Sequence, residues 1–315
     1  MIAAVPPAAV PAVAGKSGNT GRNNGTGKTG TLWWMVLPAM FFFVVFAVVP
    51  LVGVFVLSFA NWDGIGAISL AGIGNWLSVL GDPVMHNSLR LTFFIMIVSW
   101  LVQTPLSILL GVFTAGSQKY RALLAVLYFL PLLLSSAAIA IAFKALLDPN
   151  FGLAVGLKLP FLAQDWLGHP QLVLLVVIFV IAWQFVPFHT LIYQGGVRQI
   201  PKSLYEAAEI DGAGKIKQFL HITLPQLKYT IITSSTLMVV GSLTYFDLIF
   251  VLTAGGPGNS TRILALDMYL TGFRANLMGP ASVLAVILVL IGLGLALALQ
   301  RLGGKDSSGS QLEGM

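Results

Sequence analysis

Few residues in this sequence could carry chemistry, and their spacing excludes most kinds of it. The four histidines, His86, His169, His189 and His221, never pair at the i, i+4 spacing that puts two metal ligands on one helix face. Cysteine is absent, which removes thiol catalysis, disulfides and Cys-ligated zinc or iron–sulfur centres. No grouped Ser/His, His/Glu or paired-carboxylate arrangement suggests an enzyme. One run, Arg22-Asn23-Asn24-Gly25-Thr26-Gly27-Lys28-Thr29, ends like a phosphate-binding loop. Such a loop needs glycine where Arg22 stands and a strand before it. Here Pro, Ala and Gly precede the run, and a long apolar segment follows at once. No ATP site, no metal site and no catalytic activity are expected in this chain.

What remains are polar and aromatic groups inside long apolar runs. Asp247 is the one carboxylate that reads as lying well inside such a run. A charge there is costly enough to mark either a solute pathway or a hydrogen bond to a neighbouring helix. Tyr245 and Phe246 could stack on the flat face of a solute or simply pack in the core. Gln103, Gln184 and Tyr193 offer hydrogen bonds at the same depth, with the same two readings. His189, near the end of its run, and Lys144 read as snorkelling side chains.

The elements that position these groups are set by composition. Of 315 residues, 57% are hydrophobic and 9% charged, and mean hydropathy is +0.89. A soluble domain carries about 25% charged residues. Six windows reach the roughly 20 apolar residues that cross a bilayer, at about 33–59, 89–115, 122–147, 171–195, 230–254 and 280–300. Apolar residues occur all round each of them, which argues against soluble amphipathic helices. The expectation is an all-α polytopic protein with six transmembrane helices in a domain spanning 32–302. Residues 1–31, Ala/Val/Pro-rich at first and then Gly/Asn/Thr-rich and basic, read as a disordered tail without the basic start of a cleavable signal, and 303–315 reads as a polar, solvent-exposed tail. Interior prolines at Pro50, Pro105, Pro131 and Pro187 can kink their helices.

Lys and Arg cluster in alternate loops: Lys16, Arg22 and Lys28, then Lys119 and Arg121, then Arg198 to Lys228, then Arg301 and Lys305. That asymmetry marks the cytosolic side and places both termini there. It is a topology signal, so no nucleic-acid partner is expected. Trp33, Trp34, Trp62, Trp76 and Trp166 fall where interfacial anchors should.

The loop at about 200–225 is the most informative segment. Pro201 suits a first helical turn, and Ser203-x-x-Glu206 has the spacing of a capping box. Leu204, Ala207 and Ala208 share one face. Gly212-Ala213-Gly214 breaks the helix, and Ile216, Phe219 and Leu220 form a second apolar stripe. Such a hairpin cannot bury both stripes alone, so it docks against a partner or lies in the headgroup layer. The acidic residues Glu206, Glu209 and Asp211 favour docking, because an anionic leaflet repels them.

With those residues in place, the loop resembles a known family. Glu206-Ala207-Ala208, Asp211-Gly212-Ala213, Phe219, Ile222 and Leu224-Pro225 look like the EAA signature of permease subunits in binding-protein-dependent ABC importers. Lys228 departs from it, since many sugar-transporting members have proline there. Phe246-Asp247-Leu248, Leu252-Thr253-Ala254-Gly255-Gly256-Pro257 and Thr261 are similar to carbohydrate permeases of the maltose, trehalose and glycerol-phosphate group.

The resemblance implies the maltose-type permease fold in the cell membrane of a bacterium. It implies a second six-helix permease subunit and two copies of a cytosolic ABC ATPase, which hold the ATP and Mg. It also implies an extracytoplasmic sugar-binding protein and a surround of membrane lipid. Glu206, Ala207, Ala208, Asp211, Gly212 and Ala213 would then couple to the ATPase. Gly255, Gly256 and Pro257 could meet the binding protein or form a plain tight turn. The implied cargo is a sugar, of the di- or oligosaccharide class. Glycerol-phosphate or amino acids, or an ion-coupled carrier mechanism, stand as alternatives.

Overall fold

The computed structural model describes residues 30–116, 118–159 and 163–303. The tails, with Lys16, Lys305 and the phosphate-loop-like run 22–29, lie outside the described residues. The chain divides into two units, 1–50 and 51–315. In the first, α1 (Gly30–Phe43) runs into a π-helical turn at Val44–Val48.

In the second unit, α2 (Val49–Leu57, begun at the end of the first) leads to a two-stranded antiparallel ribbon of β1 (Ala60–Asn61) and β2 (Ser69–Leu70). A short helix, α3 (Gly74–Leu80), precedes α4 (Pro83–Thr114). Asp82 caps α4 by accepting a hydrogen bond from Val84 N at 2.8 Å, with Pro83 in the first turn, where its missing N–H costs nothing. Next come α5 (Lys119–Leu133), α6 (Ser136–Leu146), the single turn α7 (Leu153–Gly156) and the long α8 (Pro170–Gln199). The hairpin consists of α9 (Lys202–Ile210), α10 (Lys215–Gln218), a π-turn at Phe219–Thr223 and α11 (Leu224–Gln226). It feeds α12 (Lys228–Ser242), α13 (Phe246–Thr253), α14 (Leu264–Tyr269) and α15 (Met278–Gly303).

Among the described residues, four helical stretches are long and apolar enough to cross a membrane unaided: Trp34–Leu57, Pro83–Thr114, Pro170–Gln199 and Met278–Arg301. The other two expected spans are broken, which corrects the reading of 122–147 and 230–254 as continuous helices. The α5–α6 pair bends by 96° and the α12–α13 pair by 47°. At the first break Pro131 sits in the last turn of α5, Leu134 is extended, and the Ser135 hydroxyl accepts from Ala138 N to start a new helix. At the second, the Ser242 and Thr244 hydroxyls donate to the carbonyls of Val239 and Gly241 at 2.6 and 2.8 Å. Side chains that occupy backbone acceptors in this way compete with the helix ladder.

The core forms around α8, whose Val173, Val177, Val180 and Ile181 have no exposed surface. Along it packs α4, with α12 against α15 and α13 against α6. Close approach of α4 to α8 depends on Gly111, where a Cβ would stand 2.7 Å from Tyr193 Cβ and 3.1 Å from Gln194 N. Small residues at such crossings are the usual device in membrane proteins, where lipid offers no hydrophobic drive to association.

Candidate functional site

Two places gather the residues with functional potential. The hairpin is the first. Its opening helix is not held by the expected capping box: α9 starts after Pro201 with no side-chain cap, so Ser203 and Glu206 do not close on each other. The turn is built by backbone instead. Ala213 N donates to Ala208 O at 2.8 Å and Gly212 N to Glu209 O at 3.1 Å, with Gly212 at φ +74°. This is the left-handed helix ending for which glycine is the favoured residue. Lys215 Nζ lies 2.6 Å from Glu209 Oε1, and that hydrogen bond and charge hold the Glu209 carboxyl below its ordinary range. Tyr205 and Thr223 hydroxyls, 2.9 Å apart, pin the two arms together.

Glu206, Ala207, Asp211 and Gly212 are exposed, and Ala208 and Ala213 half-buried. Around them Ile210 is 88% and Ile216 76% exposed. The second stripe is split: Phe219 packs toward Tyr193 and Leu227, while Ile216 stands in the open. The hairpin thus presents bare apolar side chains amid charge, the mark of a surface that meets a protein or a membrane.

The second place is the break between α12 and α13. A cleft of about 400 Å³ opens there, lined by Ser136, Phe185, Phe188, His189, Thr244, Tyr245 and Asp247 among others. This volume falls within the range of small-ligand pockets. Asp247 is not buried in mid-helix as expected. It occupies the first turn of α13, exposed, with no hydrogen bond or ion pair among the described residues. The hydrogen bond to a neighbouring helix is therefore not made. The position is electrostatically apt, because a helix N-terminus carries positive partial charge. Tyr245 is buried and stacked on Phe185 with ring centroids 5.3 Å apart. Phe246 faces the other way, stacking on Phe250 at 5.2 Å and meeting Tyr269 at 5.0 Å.

The other expected residues divide. Gln184 is buried beside the cleft and donates to Ser136 Oγ at 3.0 Å. Gln103 is wholly buried, is not among the residues that line the cleft, and its amide makes no hydrogen bond among the described residues. Tyr193 is not at the cleft. It has no exposed surface and sits in the α4–α8 contact with Ile108 and Leu227. His189 was underrated: it does not snorkel, but is buried at the cleft wall, its Nδ1 2.9 Å from Ser234 Oγ. Ser136, Phe185 and Ser234 had no signal in the sequence, since each is an ordinary residue in an apolar run.

The Gly255-Gly256-Pro257 segment forms a tight turn. Ala254 and Gly255 are left-handed (φ +50° and +90°), Gly255 is buried, and Thr261 Oγ1 donates to Gly256 O at 2.9 Å. Behind it Arg262 grips Asp267 through Nε and Nη2 at 3.0 and 2.6 Å. Burial lifts the Asp267 carboxyl above its ordinary range, and Arg262 offsets part of that. Removing one partner of a buried pair costs about 3 kcal/mol or more. Asp267→Asn is therefore expected to lower the thermal midpoint of the detergent-solubilised protein in a fluorescence size-exclusion melt, and an unchanged midpoint would show the pair to be incidental.

Among the described residues no three His, Asp or Glu side chains gather as a metal site. Comparison with known proteins decides the family. Residues 103–303 match the model of the binding-protein-dependent transport system inner membrane component. The chain belongs to that family. This inner membrane component is similar to a probable ABC transporter permease protein, YurN, of Bacillus subtilis, 32% identical over 83% of this chain and 92% of that one. It is similar as well to the arabinooligosaccharides transport system permease protein AraP of the same organism, 30% identical over 85% and 86% of the two chains. In fold it matches a chain of a bacterial alginate ABC transporter crystallised with an alginate pentasaccharide-bound periplasmic protein. The TM-score is 0.76 over 89% of this chain and 96% of that one, at 20% identity.

Proposed function

We propose that this inner membrane component moves a sugar, of the di- or oligosaccharide class, from an extracytoplasmic binding protein into the cytosol. The observation that carries the reading is the cleft at the α12–α13 break. It combines an aromatic wall, Phe185 and Tyr245, with a few directed polar groups, Asp247, His189 and Ser136. Aromatic faces suit the apolar face of a sugar ring, and an unpaired carboxylate accepts from its hydroxyls. The arabinooligosaccharide transport for which AraP is named agrees with that chemistry.

Energy, on this reading, comes from ATP and Mg held by two copies of a cytosolic ABC ATPase. The hairpin segment Glu206–Ala213 docks on one of them, and a second six-helix permease subunit completes the pathway. The hairpin and both termini then face the cytosol. Glycerol-phosphate or an amino acid carboxylate fits less well, because the residues lining the cleft include Asp247 but no Lys or Arg.

Uptake by the intact complex in proteoliposomes tests the site. Asp247→Ala is expected to lower uptake of a radiolabelled oligosaccharide about tenfold, the worth of one charge-assisted hydrogen bond, while ATP hydrolysis persists. Unchanged uptake would remove Asp247 from the pathway. Mass spectrometry of the complex purified from its native membrane tests the partners. Recovery without a second permease and an ATPase would refute the assembly.

A further inference from the structure

Between α2 and α4 the chain makes a compact foot, residues 58–80, which the transport function does not use. Its internal polar groups are satisfied. Asn75 Nδ2 donates to the carbonyls of Ser58 and Ala60 at 3.1 and 2.9 Å, and the Trp62 and Trp76 indoles donate to Gly66 O and Ser58 Oγ. Asp63 is the one charge between 60 and 80. Its carboxylate is folded back onto the amides of Ile65 and Gly66 at 2.9 and 2.7 Å, and these bonds hold its pKa below the ordinary range.

The foot also has two faces. Asn75 and Val79 point inward, Val79 joining the buried cluster of Val283 and Leu284 at the start of α15. Ile73, Leu77 and Leu80 recur at i, i+4 and i+7 on the other face and are 64%, 65% and 49% exposed. Ile65, in the loop between β1 and β2, and Leu70, in β2, are 96% and 87% exposed.

We infer that this face lies in the bilayer, at the boundary of headgroups and acyl chains on the side opposite the hairpin. Depth is the first argument. Met278 N, at the first residue of α15, donates to Trp62 O at 3.0 Å, and a Cβ on Gly279 would stand 2.2 Å from Ala60 O. The foot is therefore fastened to the mouth of a crossing helix. Counting about 20 residues of hydrocarbon back from Arg301, at 1.5 Å per residue, places that mouth at the interface. Chemistry is the second argument. A protein partner would be met by a polar rim around the apolar centre, whereas the outer face of α3 offers three large aliphatic side chains and the one charge of residues 60–80, Asp63, is bonded to backbone amides. Lipid asks for no more than that. The helix to which it is fastened carries exposed aliphatic side chains of its own, Val289, Leu290, Leu293 and Leu297.

The absence of native cysteine makes the test direct. Leu77→Cys and, as a second site, Ile65→Cys are labelled with bimane in the full complex. The complex is placed in nanodiscs of phosphatidylethanolamine and phosphatidylglycerol containing phosphatidylcholine brominated on the upper acyl chain. Leu290→Cys serves as the mid-bilayer reference. Both foot sites are expected to lose about half of their emission to the brominated lipid and little to aqueous iodide, as an interfacial helix should. Strong quenching by iodide would overturn the inference by placing the face in water. Protection from both quenchers would overturn it too, because the face would then be covered by protein.

Discussion

Gly212→Asp is expected to leave the protein in the membrane at wild-type levels and to abolish its coupling to ATP. The Cβ at this position would meet nothing within 4 Å, and the residue is exposed at the tip of the hairpin, so no packing is lost. The left-handed backbone, φ +74°, costs an L residue about 1 kcal/mol, less for Asp and Asn than for others. That is a local cost, confined to a turn outside the bundle. What changes is the surface. A fourth carboxylate joins Glu206, Glu209 and Asp211 on the hairpin that carries bare Ile210 and Ile216, where on the proposed function the ATPase docks.

Substrate-stimulated uptake should then fall by fiftyfold to about a hundredfold, the upper end of ordinary coupling energies. ATP hydrolysis should lose its response to substrate. Gly212→Asn separates charge from backbone, since it imposes the same left-handed strain with no charge, and should retain most of the uptake. If the Asp variant transports normally, the hairpin is not the coupling element.

Gly111→Leu is expected to act in the opposite way, removing the folded protein and not its coupling. Its neighbours are Tyr193 Cβ, Gln194 N and Thr190 O at 2.7, 3.1 and 3.3 Å. Two of these are backbone atoms of α8, which cannot turn aside as a side chain can. The whole of α4 must lift from α8, opening the contact that centres the bundle. Overpacking of this kind costs about 3 kcal/mol or more, enough to clear most of the protein from the membrane fraction. Even Gly111→Ala should lower the melting midpoint. Gly294→Leu is the control, since a Cβ there meets nothing within 4 Å on an exposed stretch of α15, and it should melt like the wild type. Equal behaviour of the two leucine variants would refute the close crossing.

How much of this was legible beforehand varied with the physical signal. The crossing helices were plain because hydropathy is a sum over about 20 residues and tolerates error in any one. The hairpin was plain because its motif is local: the acidic run, the glycines and both apolar stripes lie within one loop. The break at Leu134 was half legible, since Pro131 could kink its helix but Pro105 and Pro187 sit in helices that run on. The break at Leu243–Tyr245 was not, because it depends on the Ser242 and Thr244 hydroxyls choosing a backbone partner. The expected capping box failed for a related reason. Spacing permits Ser203 and Glu206 to close on each other, but the turn after Pro201 does not bring them there.

The site divides along the same line. Asp247 and Tyr245 were visible as polar and aromatic groups at depth, and the fold does bring them to one cleft. Tyr193 carried an identical signal and is core, and His189 carried a weaker one and lines the wall. Helical position alone cannot say which neighbour a side chain will meet.

Taken alone, the sequence determined the solvent, the count of apolar segments, the charge asymmetry of the loops and the presence of a charged helical hairpin, since composition and local pattern are additive along the chain. Tertiary structure decided where two spans break, that Asp247 stands open at the head of a helix, and that Arg262 finds Asp267. It also decided that the 58–80 loop folds onto the mouth of α15. Each of those depends on which distant backbones approach closely enough to touch, and that is settled only when the helices pack.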